Sequence, residues 1–191
     1  MSDVSRYSDF AEHPRFGQGP RFTRLKPRGM VYLGWHAEGL IPNTAIKADT
    51  SKQCPATFHV THYYDLERRC RNCSKEFIFF AAEQKYWYEE LQFGLDSDCV
   101  RCASCRKKQQ GLQKTRFDYE TLFHAQQRTA DQCAQMAECS LELIENQVFA
   151  PKQTRKVREL INQLPEGYRK ERVEEIRKRL NDIESEVEND G

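Results

Sequence analysis

The chain has 191 residues, of which 38% are hydrophobic and 31% are charged, and 30 basic against 29 acidic residues leave a formal net charge of +1. This composition fits one domain with an appendage or two small domains, and it limits the core to a modest size. It excludes a uniformly basic surface and a uniformly acidic chain, although local charged patches remain compatible with it.

Two further features of the sequence indicate a cytoplasmic protein. No run of about 18 apolar residues occurs, so a membrane-spanning helix is excluded. The first ten residues are polar and carry Asp3 and Asp9, which is unlike a secretory signal. In the cytosol, the eight cysteines of the chain are expected to be metal ligands and free thiols rather than a disulfide framework.

Residues 1–60 form the first predicted part, an irregular and basic N-terminal arm. This part holds five of the seven prolines and five of the nine glycines of the chain. Between Ser2 and Gly29 there are six basic residues against three acidic ones. Such a composition is typical of a poorly packed arm, because it buries too little apolar surface to offset the ordering entropy. The alternative is an arm that contacts nucleic acid or a protein partner.

Residues 61–116 form the second predicted part and contain five of the eight cysteines. The run Glu76–Phe80 is aromatic and β-branched, which predicts a short strand. Good helix formers follow between Ala82 and Gln92, so we expect a short helix there.

Two copies of the pattern Arg-Cys-x-x-Cys flank this strand and helix, at Cys70 and Cys73 and again at Cys102 and Cys105. A two-residue gap lets a tight turn direct both sulfurs of a pair to one point. Two such turns supply four thiolates, the tetrahedral set that structural zinc prefers. The sequence therefore predicts a four-cysteine zinc ribbon with one Zn²⁺, in which the 28 residues between the pairs hold the strand and the inserted helix.

Cys99 complicates this assignment, because Cys99 and Cys102 also have the spacing of a Cys-x-x-Cys pair. Only one of the two overlapping pairs can complete a single tetrahedral site. The pair of Cys102 with Cys105 is favoured because it repeats the Arg-Cys-x-x-Cys form of the first turn. Cys99 is then a half-buried free thiol, or else an alternative ligand.

The segments Tyr63–Phe77, Glu83–Glu90 and Val100–Arg106 together resemble the probable zinc-ribbon domain of bacterial proteins of unknown function. The resemblance implies a fold and a bound zinc ion but no reaction. It carries the family's ligand positions onto Cys70, Cys73, Cys102 and Cys105, and further motif positions onto Glu83, Gln84, Trp87, Tyr88 and Glu89.

This sequence departs from the family pattern at two positions. The first turn in the family usually ends in glycine, so Ser74 is expected to adopt the required backbone conformation at some cost. The second turn commonly has proline where Ala103 stands, which predicts a less rigid turn. Neither departure removes a ligand.

Basic residues concentrate around the cysteines. Between Cys99 and Arg116 there are six basic residues and no acidic residue. These side chains either offset the negative charge of a four-thiolate centre or contact nucleic-acid phosphates, with Tyr86 or Tyr88 as the aromatic side chain that stacks on bases. The candidate phosphate contacts are Arg101, Arg106, Lys107, Lys108 and Lys114, and further basic residues border the first turn at Arg68, Arg69, Arg71 and Lys75.

Residues 117–191 form the third predicted part, which is helical. A first helix is expected from about Asp118 to Gln147, and a second, shorter one contains Val157 and Leu164. The last helix has an apolar seam with heptad spacing, which packs either inside a helical hairpin or in a coiled-coil dimer. The seam consists of Val173, Ile176, Leu180, Ile183 and Val187.

These observations predict a small α+β protein that acts without catalysis. The leading hypothesis is a zinc-binding adaptor that binds DNA, RNA or a nucleic-acid-associated complex through its basic surface. The alternative is a module that binds only proteins, with the last helix docking on a partner or forming a homodimer, and with zinc purely structural. No phosphate-binding glycine loop, paired-carboxylate motif or open three-ligand zinc pattern occurs, so an enzyme is not expected.

Overall fold

The computed structural model describes residues 4–27, 38–56 and 58–189. The chain divides into two compact units, residues 1–107 and residues 108–191. No helix among the described residues is long and apolar enough to cross a membrane.

The first unit contains two small antiparallel sheets. Strand β1 (Ile46–Lys47) pairs with β2 (His62–Tyr63), and β3 (Leu66–Arg69) pairs with β4 (Glu76–Phe79). In the second sheet Leu66 lies opposite Phe79 and Arg69 lies opposite Glu76. The turn that joins these two strands therefore contains the first cysteine pair.

Strand β4 confirms the predicted aromatic strand. Its residues Phe77, Ile78 and Phe79 are all buried, and this explains why the run has no polar alternation. Helix α1 (Ala81–Lys85) follows at once and continues as a π-helical turn over Tyr86–Glu90, which confirms a helical segment after the strand.

The described residues of the N-terminal arm include 3₁₀ turns at Val4–Tyr7 and Thr50–Lys52 and the short strand β1, and they are better packed than the sequence predicted. The side chains of Tyr7 and Phe10 are buried in a cluster that includes Ile78 of β4. The backbone N–H of Ala11 also donates to the carbonyl of Glu76 at 2.7 Å. The arm therefore supplies apolar surface that a two-stranded sheet needs for burial.

Asp65 joins three segments of the first unit. Its buried carboxylate accepts the backbone N–H of Arg21 at 2.6 Å and that of Ala81 at 2.7 Å. The second bond satisfies a free N–H at the start of α1. Its backbone N–H is bonded as well, to Thr44 Oγ1 at 2.9 Å.

Helix α2 (Ala103–Phe123) begins in the first unit and continues into the second, which also contains α3 (Ala130–Glu145), α4 (Thr154–Asn162) and α5 (Lys170–Asn189). The core of the second unit contains apolar side chains from all four helices. Four of the five seam residues of α5 are buried in this core, while the side chain of Val187 lies outside the described part of the structure. The four are Val173, Ile176, Leu180 and Ile183.

The prediction of one helix from Asp118 to Gln147 is wrong, because α2 ends at Phe123 and α3 begins at Ala130. Two local devices explain the break. Arg128 donates from one guanidinium nitrogen to the carbonyls of Leu122, Phe123 and Ala125, which closes α2. Thr129 and Gln132 form a reciprocal capping box that starts α3. The described residues form two small sheets and five α-helices, which confirms the prediction of a small α+β protein.

Candidate metal centre

The first cysteine pair lies in the turn between β3 and β4. Cys70 directly follows β3, and its backbone N–H donates to the carbonyl of Lys75 at 2.9 Å, while the N–H of Ser74 donates to the carbonyl of Cys70 at 3.0 Å. Ser74 has a φ of 58°, in the left-handed region that favours glycine. The turn therefore has the backbone geometry that the sequence predicted, with the expected strain at Ser74.

The second cysteine pair lies at the start of α2 rather than in a second tight turn. Cys102 immediately precedes the helix, and Cys105 lies in its first turn, where the N–H of Arg106 donates to the carbonyl of Cys102 at 3.0 Å. A helical first turn aligns residues three apart on one side, as a tight turn does. Both sulfurs therefore lie at the N-terminal end of α2.

Two hydrogen bonds hold the cysteine segments side by side. The backbone N–H of Arg71 donates to the carbonyl of Val100 at 3.0 Å. The Arg101 Nε donates to Asn72 Oδ1 at 2.8 Å. The first turn and the residues before α2 are thus fixed against each other through main chain and side chain.

The four sulfurs of Cys70, Cys73, Cys102 and Cys105 all lie within 4.8 Å of one another. The distance between Cys73 Sγ and Cys102 Sγ is 3.8 Å. A tetrahedral metal with metal–sulfur bonds of about 2.3 Å has its sulfurs about 3.8 Å apart. The four cysteines therefore have the geometry to hold one tetrahedral metal ion, and in the described part of the chain no other group of metal-binding side chains comes together in this way.

The surroundings of the sulfurs affect their protonation in the metal-free chain. Burial raises the pKa of the Cys70 thiol, but the backbone N–H groups of Cys73, Cys102 and Asn72 outweigh burial and lower this pKa to about 6. Burial and the neighbouring sulfurs raise the pKa of Cys105, because several thiolates in one place repel one another. A bound dication removes that repulsion, so metal binding and thiol deprotonation are coupled.

Cys99 lies outside this group of four sulfurs. It is fully buried, and its Sγ donates to the carbonyl of Arg101 at 3.3 Å. Burial raises the pKa of Cys99 to about 12, so it is a neutral thiol at physiological pH. The structure thus brings Cys102 and Cys105, and not Cys99, into the group of four sulfurs.

The basic residues predicted to contact phosphates have different surroundings. Lys107, Lys108 and Lys114 are exposed on α2. Arg106 is not free, because it donates to Glu83 Oε1 at 2.6 Å. Arg101 is partly exposed and is held by Asn72.

The two aromatic candidates also differ. Tyr86 is exposed, whereas Tyr88 is buried and its hydroxyl donates to the carbonyl of Ser97. The roles of Asn72 and Glu83 were not predicted, although Glu83 belongs to the motif positions on which the family resemblance rests.

Comparison with known proteins gives a single kind of match. Neither a curated protein nor a solved structure matches the chain at a significant level. Over residues 64–114 the chain matches a family model described as a probable treble clef domain, and this segment includes the β3–β4 hairpin, α1, the first half of α2 and all four clustered cysteines.

Proposed function

We propose that this protein is a zinc-binding, non-catalytic module that contacts nucleic-acid phosphates through exposed cations around its metal centre. Four cysteine sulfurs at tetrahedral spacing are the ligand set that structural zinc prefers. A site closed by four thiolates keeps no position for a substrate or water, which supports a structural role for the metal. The cytoplasmic location expected from the sequence stays a prediction.

The observation that carries the proposal is the contact between the two cysteine segments. Because Arg101 is held on Asn72 and the N–H of Arg71 is bonded to Val100, the two segments that carry these cations lie side by side. Neither Arg69–Lys75 nor Cys99–Lys107 contains an acidic residue. The exposed cations of this region of the first unit are Arg69, Arg71, Lys75 and Lys107.

A cationic surface of this kind fits the phosphate backbone better than it fits individual bases. Phosphate contacts by lysine and arginine supply affinity that depends on salt and is largely independent of sequence. We therefore propose weak, salt-sensitive binding of generic DNA or RNA as the activity.

The competing hypothesis is a module that binds only proteins or forms a homodimer through its last helix. Its proposed surface was the apolar seam of α5. Since Val173, Ile176, Leu180 and Ile183 are buried in the core of the second unit, this seam is occupied within the chain, and that observation favours the nucleic-acid hypothesis.

The metal is tested by elemental analysis of the purified protein, with one zinc ion per chain as the expected result. Cys70→Ser should release the metal and unfold the region around the hairpin, because site formation and folding are coupled. Cys99→Ser serves as the matched control, since it changes a buried cysteine outside the group of four sulfurs, and it should keep its zinc. Loss of zinc in Cys99→Ser together with retention in Cys105→Ser would overturn the assignment.

The phosphate contacts are tested by fluorescence titration of labelled duplex and single-stranded oligonucleotides at several salt concentrations. The variant reverses two adjacent exposed charges of α2, Lys107→Glu with Lys108→Glu. If both lysines contact phosphates, the slope of log affinity against log salt should become shallower by about 1.8 for a duplex and about 1.4 for a single strand.

The matched control reverses two adjacent exposed charges of α5, Arg177→Glu with Lys178→Glu, and so changes the net charge equally. This control should keep the slope of the wild type, because neither Arg177 nor Lys178 is among the proposed phosphate contacts. Absence of binding by the zinc-loaded wild type at low salt, or an equal loss in both variants, would contradict specific phosphate contacts. If the cations only offset the thiolate charge, the first variant should lose stability and neither protein should bind.

A further inference from the structure

Arg106 connects directly to the metal centre through the backbone. It follows Cys105 in the first turn of α2, and its N–H donates to the carbonyl of Cys102 at 3.0 Å. The position of the Arg106 side chain is therefore coupled to the helical turn that carries the second pair of sulfurs.

The guanidinium group of Arg106 has two partners from the preceding helical segment. One nitrogen donates to Glu83 Oε1 at 2.6 Å, and the guanidinium carbon lies 5.0 Å from the centre of the Trp87 ring. Only 10% of the Glu83 side chain and 20% of the Arg106 side chain are exposed. Removal of one partner would therefore leave a charge that water hardly reaches.

Glu83 and Trp87 are themselves fixed to the hairpin that carries the first cysteine pair. The Trp87 ring packs on Phe79 of β4 at a centroid distance of 5.0 Å. The N–H of Glu83 donates to the carbonyl of Phe80 at the end of that strand. Packing and hydrogen bonds therefore link the hairpin that carries Cys73 to α1, and the ion pair of Glu83 with Arg106 links α1 to the start of α2, which carries Cys105.

Among the described residues, Arg106 makes the hydrogen bond to the Glu83 carboxylate through one oxygen, Oε1. Glu83 Oε2 is buried and has no hydrogen-bond partner among the described residues. The other nearby group is His13, whose Nε2 lies 3.4 Å from Glu83 Oε1. The His13 Nδ1 accepts the backbone N–H groups of Arg15 and Phe16, which leaves Nε2 to face the carboxylate.

We propose that Glu83 and Arg106, stacked on Trp87, are positioning residues for the metal centre: their ion pair holds the start of α2 so that Cys102 and Cys105 meet Cys70 and Cys73 at tetrahedral spacing. The proposal rests on the proposed zinc binding and adds the residues that prepare the site. It also removes Arg106 from the phosphate-contacting set, because its guanidinium is already engaged.

The test compares zinc dissociation constants of the full-length chain, measured by competition with a chelator of known affinity. Glu83→Gln preserves the shape of the side chain and removes its charge. Partners that orient metal ligands typically change metal affinity by 10- to 100-fold when mutated, so we expect a loss in this range with one zinc per chain retained.

Because folding and metal binding are coupled, a stability control is needed. Ile41→Val or Ile41→Ala, whichever matches the urea midpoint of Glu83→Gln, weakens the same unit at a buried core position outside β4 and α1. Glu83→Gln should lose at least tenfold more zinc affinity than this control. The ligand-field spectrum of the cobalt(II)-loaded protein should also shift in Glu83→Gln and keep its wild-type bands in the control.

A double variant, Glu83→Gln with Arg106→Gln, leaves neither charge of the pair without its partner, so it replaces Glu83→Gln in the comparison with the stability control if the single variant fails to fold. It should lose no more affinity than either single change, since both remove the same interaction. Equal losses in Glu83→Gln and the stability control, or additive losses in the double variant, would overturn the positioning role. A wild type that binds no zinc would instead overturn the proposed function itself.

Discussion

Replacement of Ser74 by glycine should stabilise the first unit. Ser74 has a φ of 58°, and a left-handed conformation costs an L-residue about 1–2 kcal/mol. Glycine removes that cost but adds about 0.4–1 kcal/mol of unfolded-state entropy. The midpoints of these ranges leave a net gain of about 0.8 kcal/mol. Both hydrogen bonds of Ser74 use backbone atoms, its N–H to Cys70 and its carbonyl from Arg69, so the substitution preserves them.

The assay is urea unfolding of the zinc-loaded protein, followed by tryptophan fluorescence. Trp87 lies in the first unit and packs on Phe79 of β4, so its fluorescence reports the unfolding of that unit. Ser74→Ala is the matched control, because alanine keeps the Cβ that makes this φ unfavourable, and it should show no gain. A Ser74→Gly protein that is no more stable than Ser74→Ala would refute the claim that strain is stored at the first turn.

Three further substitutions test hydrogen bonding within the first unit and helix stability and core packing within the second. Asp65→Ala should lower the free energy of unfolding by about 2–4 kcal/mol in the same fluorescence assay, because the N–H groups of Arg21 and Ala81 both lose their acceptor. Gly111→Ala should raise the helical stability of the second unit by about 0.5–1 kcal/mol in urea unfolding followed by circular dichroism, since the new methyl group meets no atom within 4 Å. Ile176→Ala should cost about 2–5 kcal/mol in that assay, because Ile176 is fully buried; a changed oligomeric state with unchanged stability would instead support the protein-binding hypothesis.

The sequence alone located the group of four cysteines and the strand β4 between the two pairs, but not the helix α2 that begins at the second pair. The two Arg-Cys-x-x-Cys patterns predicted which four sulfurs would meet, because a two-residue gap is a local geometric constraint that holds in a turn and in a helical first turn alike. The same locality explains the success at β4, because an apolar run carries its conformational preference within a few residues. The expectation at Ser74 instead came from the family resemblance, in which glycine usually stands at this position.

Tertiary structure decided which of the charged side chains are exposed and unengaged, and so available to contact phosphates. Arg106 and Lys107 are neighbours in one basic run, and no local pattern separates them. Only the fold places Glu83 and Trp87 beside Arg106 and leaves Lys107 in solvent. The same holds for Cys99, whose spacing equals that of a ligand but whose sulfur is buried and lies outside the group of four.

The break between α2 and α3 was missed for a related reason. Helical periodicity continues through residues 118–147, whereas the end of α2 depends on one arginine that folds back onto three carbonyls. In the N-terminal arm, a composition typical of disorder is overridden because Tyr7 and Phe10 find a partner surface on β4. Spacing and propensity act over a few residues and can be read from the sequence, but burial and the choice of charge partners depend on segments that are far apart in the chain and meet only when it folds.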